Sequence, residues 1–254
     1  MKIASIALNT FRETIRDRIL YSLFAFAAIM IGLSYFLAEL SVGDFERIVI
    51  NFGLTCVHLF GVVIAIFIGI TLVSKEVEKR TIYSIVSKPV SRFEFLVGKF
   101  SGLALTLLAT TSAMTAGLIG IVYLQSGNVH FGLIIVSSFI YMELLLLTAL
   151  AILFSSFSTP TLSSIFSLFL FFIGHFSTSL KNFGEHAVSW FASGGLLSLY
   201  YLLPNFENFN LKNLVLYGLK LDGKYLLFVF SYFLVYLALI LFIANVIFSR
   251  RDFK

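Results

Sequence analysis

Glu143 makes the strongest chemical demand of any residue in this chain. It lies about 11 residues from either end of an apolar run, 132–154, which at ~1.5 Å per helical residue puts it near the middle of a bilayer core. An unpaired carboxylate at that depth costs at least about 2.5 kcal/mol on insertion scales. It must therefore be protonated, hydrogen-bonded or turned toward a polar cavity. Two histidines in other apolar runs fall near the same depth: His58, and His175 somewhat nearer the outer surface. The expectation is that one of them partners Glu143, or that Glu143 lines a conduit. A structural hydrogen bond unrelated to any substrate is the simpler alternative, and both stay open at this point.

Other chemistry finds little support. His58 and His175 are far apart in sequence, and with four methionines and the lone Cys56 they give no recognised ligand spacing, so no metal site is expected. A single cysteine also excludes an internal disulfide. Gly98-Lys99 matches the end of a G-x-x-x-x-G-K loop, but Phe93 stands where the first glycine belongs and the strand before it is missing. There is no H-E-x-x-H, and the serines and threonines of the apolar runs have ordinary helix-contact explanations. No catalytic or cofactor-binding residue is assigned, and the chain is not expected to be an enzyme.

The elements that must position these residues are long apolar helices. The 254 residues are 59% hydrophobic and 12% charged, with mean hydropathy +0.99. Soluble domains carry about 25% charged residues, so the composition is that of a membrane protein. The net charge of +5 gathers in segments read as cytoplasmic, so topology and anionic lipid explain it better than nucleic acid. The start is polar and charged up to Arg18 with no small-residue cleavage site, which argues against a signal peptide.

Residues 2–18 read as an amphipathic helix resting in the membrane interface. Ile3, Ala4, Ala7, Leu8, Phe11 and Ile15 share one face, Arg12, Glu13, Arg16 and Asp17 the other, and Ile6 is the exception. A tail folding against a partner is the alternative. Apolar spans follow at 19–38, within 48–74, and at 101–124, 132–154, 161–178 and 225–249. The acidic segment with Glu39, Asp44, Glu46 and Arg47 falls outside, Gly127 and Asn128 make an outer turn, and 155–160 an inner one. Between 179 and 224 the chain is partly polar. Its apolar piece 190–203 is short for a crossing and suits an interfacial or re-entrant helix, with Gly194-Gly195 as a break. Gly53, Gly61 and Gly69, with Ala65 between them, suggest a close helix–helix seam. The runs are too long and too continuously apolar for barrel strands, and no sequence repeat stands out.

The stretch 75–99, KEVEKRTIYSIVSKPVSRFEFLVGK, holds six of the 18 basic residues: Lys75, Lys79, Arg80, Lys88, Arg92 and Lys99. A basic island between two spans marks a cytoplasmic loop. The span before it runs on as helix through Glu76, Glu78 and Lys79, and Ile82, Ile85 and Val86 gather on one side. Pro89 ends that helix, because its ring disfavours helical geometry at Lys88 and it lacks an amide proton. A second helix restarts at once: Ser91 and Glu94 have capping-box spacing, Val90 and Phe95 that of a hydrophobic staple.

In this order of residues (Glu76, Thr81, Ser87-Lys88-Pro89-Val90-Ser91-Arg92, Gly98-Lys99) the chain resembles the first cytoplasmic loop of ABC-2 type transporter permeases. It is most similar to the branch that includes permeases of multicopper-enzyme maturation, and 199–205, LYYLLPN, resembles the outer segment of that branch. The resemblance implies an all-α polytopic membrane protein. It would comprise one transmembrane domain, 1–254, with an elbow helix (1–18), spans 1–5 (19–178), an outer segment (179–224), and span 6 with a basic tail (225–254). It would cross the cell membrane six times, with both termini cytoplasmic. The loop would carry a coupling helix that docks on a separate ABC ATPase subunit through Glu76, Glu78, Lys79, Arg80, Thr81, Ile82, Ile85, Lys88, Pro89, Ser91 and Arg92. ATP and Mg²⁺ would be bound by that partner. Two ATPase copies and a second permease subunit, identical or related, would complete an exporter. An ion-coupled secondary transporter using Glu143, or a non-transporting scaffold or sensor subunit, are the rival readings.

Overall fold

The computed structural model describes residues 2–39, 45–78, 91–128, 130–186, 194–195, 197–198, 200–201, 203–213 and 222–250. These are helical almost throughout: α1 (Lys2–Ile15), α2 (Arg18–Glu39), α3 (Phe45–Glu78), α4 (Arg92–Ser126), α5 (Phe131–Ser155), α6 (Pro160–His175), α7 (Ser177–Glu185), a 3-10 turn (Phe206–Phe209) and α8 (Gly223–Arg250). Five of them, α2, α3, α4, α5 and α8, are long and apolar enough to cross a membrane; α6 is a shorter apolar helix.

Local chemistry explains the ends. Ser91 caps α4 with a complete capping box: the Glu94 amide donates to Ser91 Oγ at 3.1 Å, and the Ser91 amide donates to Glu94 Oε2 at 2.9 Å. At its far end Gly127 takes φ 68°, a left-handed conformation that glycine adopts without a Cβ penalty. Pro160 opens α6 at its first turn, where a missing amide proton is harmless.

The centre of the bundle is α3 and α5, the two most enclosed of the long helices. α3 packs on α2, α4, α5 and α6, and α5 also packs on α4, α6 and α8. The three α3 glycines do make close approaches, but to two helices: a Cβ on Gly53 would meet Leu118 of α4, one on Gly61 would meet Leu144 of α5, and one on Gly69 would meet Ala151 of α5. α2 and α8 instead leave apolar faces open, among them Phe26, Ile29 and Phe36 on α2 and Leu227, Val235 and Phe242 on α8.

Two readings from the sequence need correction. α1 turns Ala7 and Thr10 inward onto α4, and Ile6, the apparent exception to its apolar face, lies directly against Gly98, while Ile3 and Leu8 are exposed. Gly98 and Gly102 create the groove that decides this, because a Cβ on Gly102 would lie 2.5 Å from the Ala7 carbonyl oxygen. The fifth apolar run does not continue to 178: α6 ends at His175, the chain bends at Phe176, and α7 follows. Gly174 is packed there against Phe206 and the Pro204 carbonyl, so the returning chain fixes the bend. Gly194 and Gly195, read as a break, have helical backbone, and 187–193 and 196 on either side lie outside the described residues.

The described ends of the chain meet at the start of α4. Glu13 of α1 faces Lys99 at 3.9 Å, and Arg92 Nη1 donates to the Phe248 and Ser249 carbonyls of α8 at 3.1 and 2.8 Å. A guanidinium there satisfies orphan carbonyls and complements the negative end of the helix dipole. Phe95 stacks on Phe248 beside it, with ring centroids 6.3 Å apart.

Gly102→Leu is expected to destabilise the protein by about 1–3 kcal/mol through overpacking, read as a lower thermal unfolding midpoint in detergent. Gly117, also on α4, has nothing within 4 Å of a built Cβ, so Gly117→Ala should leave the midpoint unchanged or raised.

Candidate functional site

The intramembrane polar residues form a cluster. His58 Nε2 lies 2.8 Å from Glu143 Oε1, a hydrogen bond, and His175 Nε2 lies 3.5 Å from the same oxygen. Both histidines, not one, therefore face the carboxylate, from α3 and α6. The His58 and His175 ring centroids are 5.5 Å apart. The Glu143 side chain is 2% exposed, so it depends on these neighbours for solvation.

The tautomer of His175 follows from its partner. His175 Nδ1 lies 3.2 Å from the Phe171 carbonyl, which can only accept, so Nδ1 carries the proton. In the neutral ring, Nε2 then presents a lone pair, and this buried atom has no hydrogen-bond partner.

A hydrophobic shell encloses the cluster. The Phe171 ring lies 4.6 Å from His175 and 5.7 Å from His58, and Phe206 stands 6.0 Å from His175. Phe206 and Phe209 are fully buried on the 3-10 turn. α8 holds this returning segment with tyrosines: the Asn205 amide donates to Tyr232 Oη at 2.7 Å, and Tyr225 Oη donates to the Asn208 carbonyl at 3.0 Å. Residues 204–209 thus form a cap over the histidines.

The cap also delivers a charge that hydropathy alone did not single out. Burial holds the Lys212 ammonium below the usual lysine range, against the attraction of Glu143 and Glu207, which favours its charged form. Lys212 escaped notice because it lies outside every apolar run. Only the fold of 203–213 brings it within electrostatic reach of mid-helix Glu143.

The loop residues are less fully described. Glu76 and Glu78 belong to the last turns of α3, and their side chains lie outside the described residues. Lys79, Arg80, Thr81, Ile82, Ile85, Lys88 and Pro89 also lie outside the described residues, as does Val90 of the expected staple. Ser91 and Arg92 are described, and both serve helix ends: Ser91 caps α4, and Arg92 the last carbonyls of α8.

The hydroxyls of the spans fit the packing expectation. Between α4 and α5 a groove of about 300 Å³ is lined in part by Thr111, Thr115, Ser137, Ser138 and Tyr141. Thr111, Thr115 and Ser138 donate to carbonyls of their own helices and Tyr141 to Ala104, leaving Ser137 Oγ without a hydrogen bond.

Comparison with protein families matches residues 4–253 to the family described as ABC-2 family transporter protein. This chain belongs to the ABC-2 transporter family. Comparison with curated proteins finds no match. The ABC-2 protein is therefore a multi-pass membrane protein of permease type, and members of its family are non-catalytic and pair with an ABC ATPase subunit. The missing glycine at Phe93 agrees with that division of labour.

Glu143→Leu in this ABC-2 protein removes the acceptor of His58 and is expected to cost about 1–3 kcal/mol, read by thermal unfolding in detergent. Glu143→Gln keeps an acceptor oxygen and should cost less. A Leu variant as stable as the wild type would show that the bond contributes nothing.

Proposed function

We propose that this chain is the membrane-spanning subunit of an ATP-driven exporter, whose ATP and Mg²⁺ are bound by a separate ABC ATPase. The observation that carries the reading is the convergence of α1, the start of α4 and the end of α8 at the point where the chain returns from the basic loop. A push delivered to residues 79–90 reaches three helices at once through Ser91, Arg92 and the Gly98–Gly102 groove. That is the mechanical requirement of a coupling element.

In this reading α2, α3, α4, α5, α6 and α8 make six crossings in one transmembrane domain, with both termini in the cytoplasm. α6 spans only about 24 Å at 1.5 Å per residue, against a core of about 30 Å, which suits a crossing where the bilayer is locally thinned. α1 serves as the elbow helix: it docks on α4 by its Ile6–Thr10 face and offers Ile3 and Leu8 to lipid. The open apolar faces of α2 and α8 suit lipid and a second permease subunit, identical or related. Two ATPase copies complete the complex, in the cell membrane. ATP-driven closure of the ATPase pair shifts the population of the bundle between two arrangements. The loop residues 87–92 favour the branch of multicopper-enzyme-maturation permeases.

One observation favours a second reading. The His58–Glu143–His175 cluster is a buried titratable site of the kind that couples ion flux to transport in secondary carriers. Ion-driven flux in vesicles free of the ATPase would support it over the first.

Two outcomes test the main reading. Ile82→Asp and Ile85→Asp are expected to abolish co-purification of the ATPase while membrane abundance is kept; retention of the ATPase by both overturns the assigned interface. Ser91→Cys should react with a membrane-impermeant maleimide in inverted vesicles and not in intact cells, and the opposite pattern reverses the topology.

A further inference from the structure

The cluster at the centre of the bundle has the composition of a metal site. We propose that His58, Glu143 and His175 bind one divalent ion of the zinc class, clasping α3, α5 and α6.

The three donor atoms lie within 4.8 Å of one another, on three different helices. A tetrahedral zinc site with bonds of ~2.0–2.1 Å separates its donors by roughly 3.3 Å. The Glu143 oxygen already lies 2.8 Å from His58 Nε2 and 3.5 Å from His175 Nε2, within a few tenths of an ångström of that separation, while the two histidine donors, within 4.8 Å of one another, would close on the ion by rotation of their side chains. Two imidazoles and one carboxylate suit zinc and its neighbours rather than Mg²⁺ or Ca²⁺, which require oxygen ligands.

The arrangement around His175 is what separates this reading from a simple hydrogen-bonded pair. Metal-bound histidines characteristically donate their other N–H to a carbonyl or carboxylate, which fixes ring and tautomer. His175 does so through Nδ1 to Phe171. Its Nε2 is then a buried lone pair aimed at a carboxylate oxygen, with no proton between them in the neutral ring. A cation between these two atoms would be bound by both. Occupancy would compensate the carboxylate of Glu143 and leave the site with one net positive charge, which a bound hydroxide or other anion in the fourth position would balance. Lys212 is the opposing feature, since its ammonium feels the same carboxylate and disfavours a dication.

The proposal does not depend on an ATPase partner and is tested on the full chain alone. The protein is purified in detergent without a polyhistidine tag, stripped with chelator, and titrated with Zn²⁺ and with Co²⁺. The expected result is one Zn²⁺ per chain, a raised thermal midpoint, and visible ligand-field bands from Co²⁺. His58→Ala, His175→Ala and Glu143→Gln should each weaken binding by at least ~10-fold, whereas His130→Ala and His186→Ala, remote from the cluster, should bind as the wild type does. Lys212→Met should bind at least as tightly as the wild type. His175→Gln provides the folding control: its metal-free midpoint should match the wild type while its response to Zn²⁺ is lost. Absence of Zn²⁺ binding by the wild type overturns the proposal. So does undiminished binding by the His175→Ala and Glu143→Gln variants.

Discussion

A carboxylate in the middle of an apolar helix is stable only if neighbouring helices solvate it. Glu143 therefore sets a condition on the whole bundle: α3 and α6 must approach α5 closely enough, and in the right rotation, to bring His58 and His175 to one oxygen. The glycines of α3 make this possible. With Gly61 against Leu144 and Gly69 against Ala151, α3 and α5 pack at near-backbone distance, and His58 sits one turn from Gly61 on that surface.

Two junctions follow from this core. At one, α1, α4 and α8 are joined by small residues and by charge: Gly98 and Gly102 under Ile6 and Ala7, Lys99 beside Glu13, and Arg92 on the last carbonyls of α8. At the other, the returning segment 203–213 closes over the histidines, held by tyrosines of α8 and by Phe206 against Gly174. α8 contributes to both, so the last helix ties the polar cluster to the basic loop.

Membership of the ABC-2 family accounts for a chain of permease type that carries no nucleotide-binding motif. The buried cluster is a separate matter. Its chemistry arises from three side chains of this chain, and nothing in the basic loop demands it.

The long helices and several of their ends were legible in the sequence, because hydropathy, capping and turn chemistry are local. A run of apolar residues forms a helix whatever its neighbours; Ser91 with Glu94, Gly127 and Pro160 act within one turn. The need of Glu143 for a partner was equally legible, since burial of a charge costs energy in any packing. Rotation and encounter were not. That Ile6 faces α4, that the fifth apolar helix stops at His175, that both histidines share one oxygen and that Lys212 comes near it all depend on contacts between residues distant in sequence. Within lipid every face of an apolar helix reads alike to a hydropathy pattern, so only the close packing of glycine against side chain selects which face meets which neighbour.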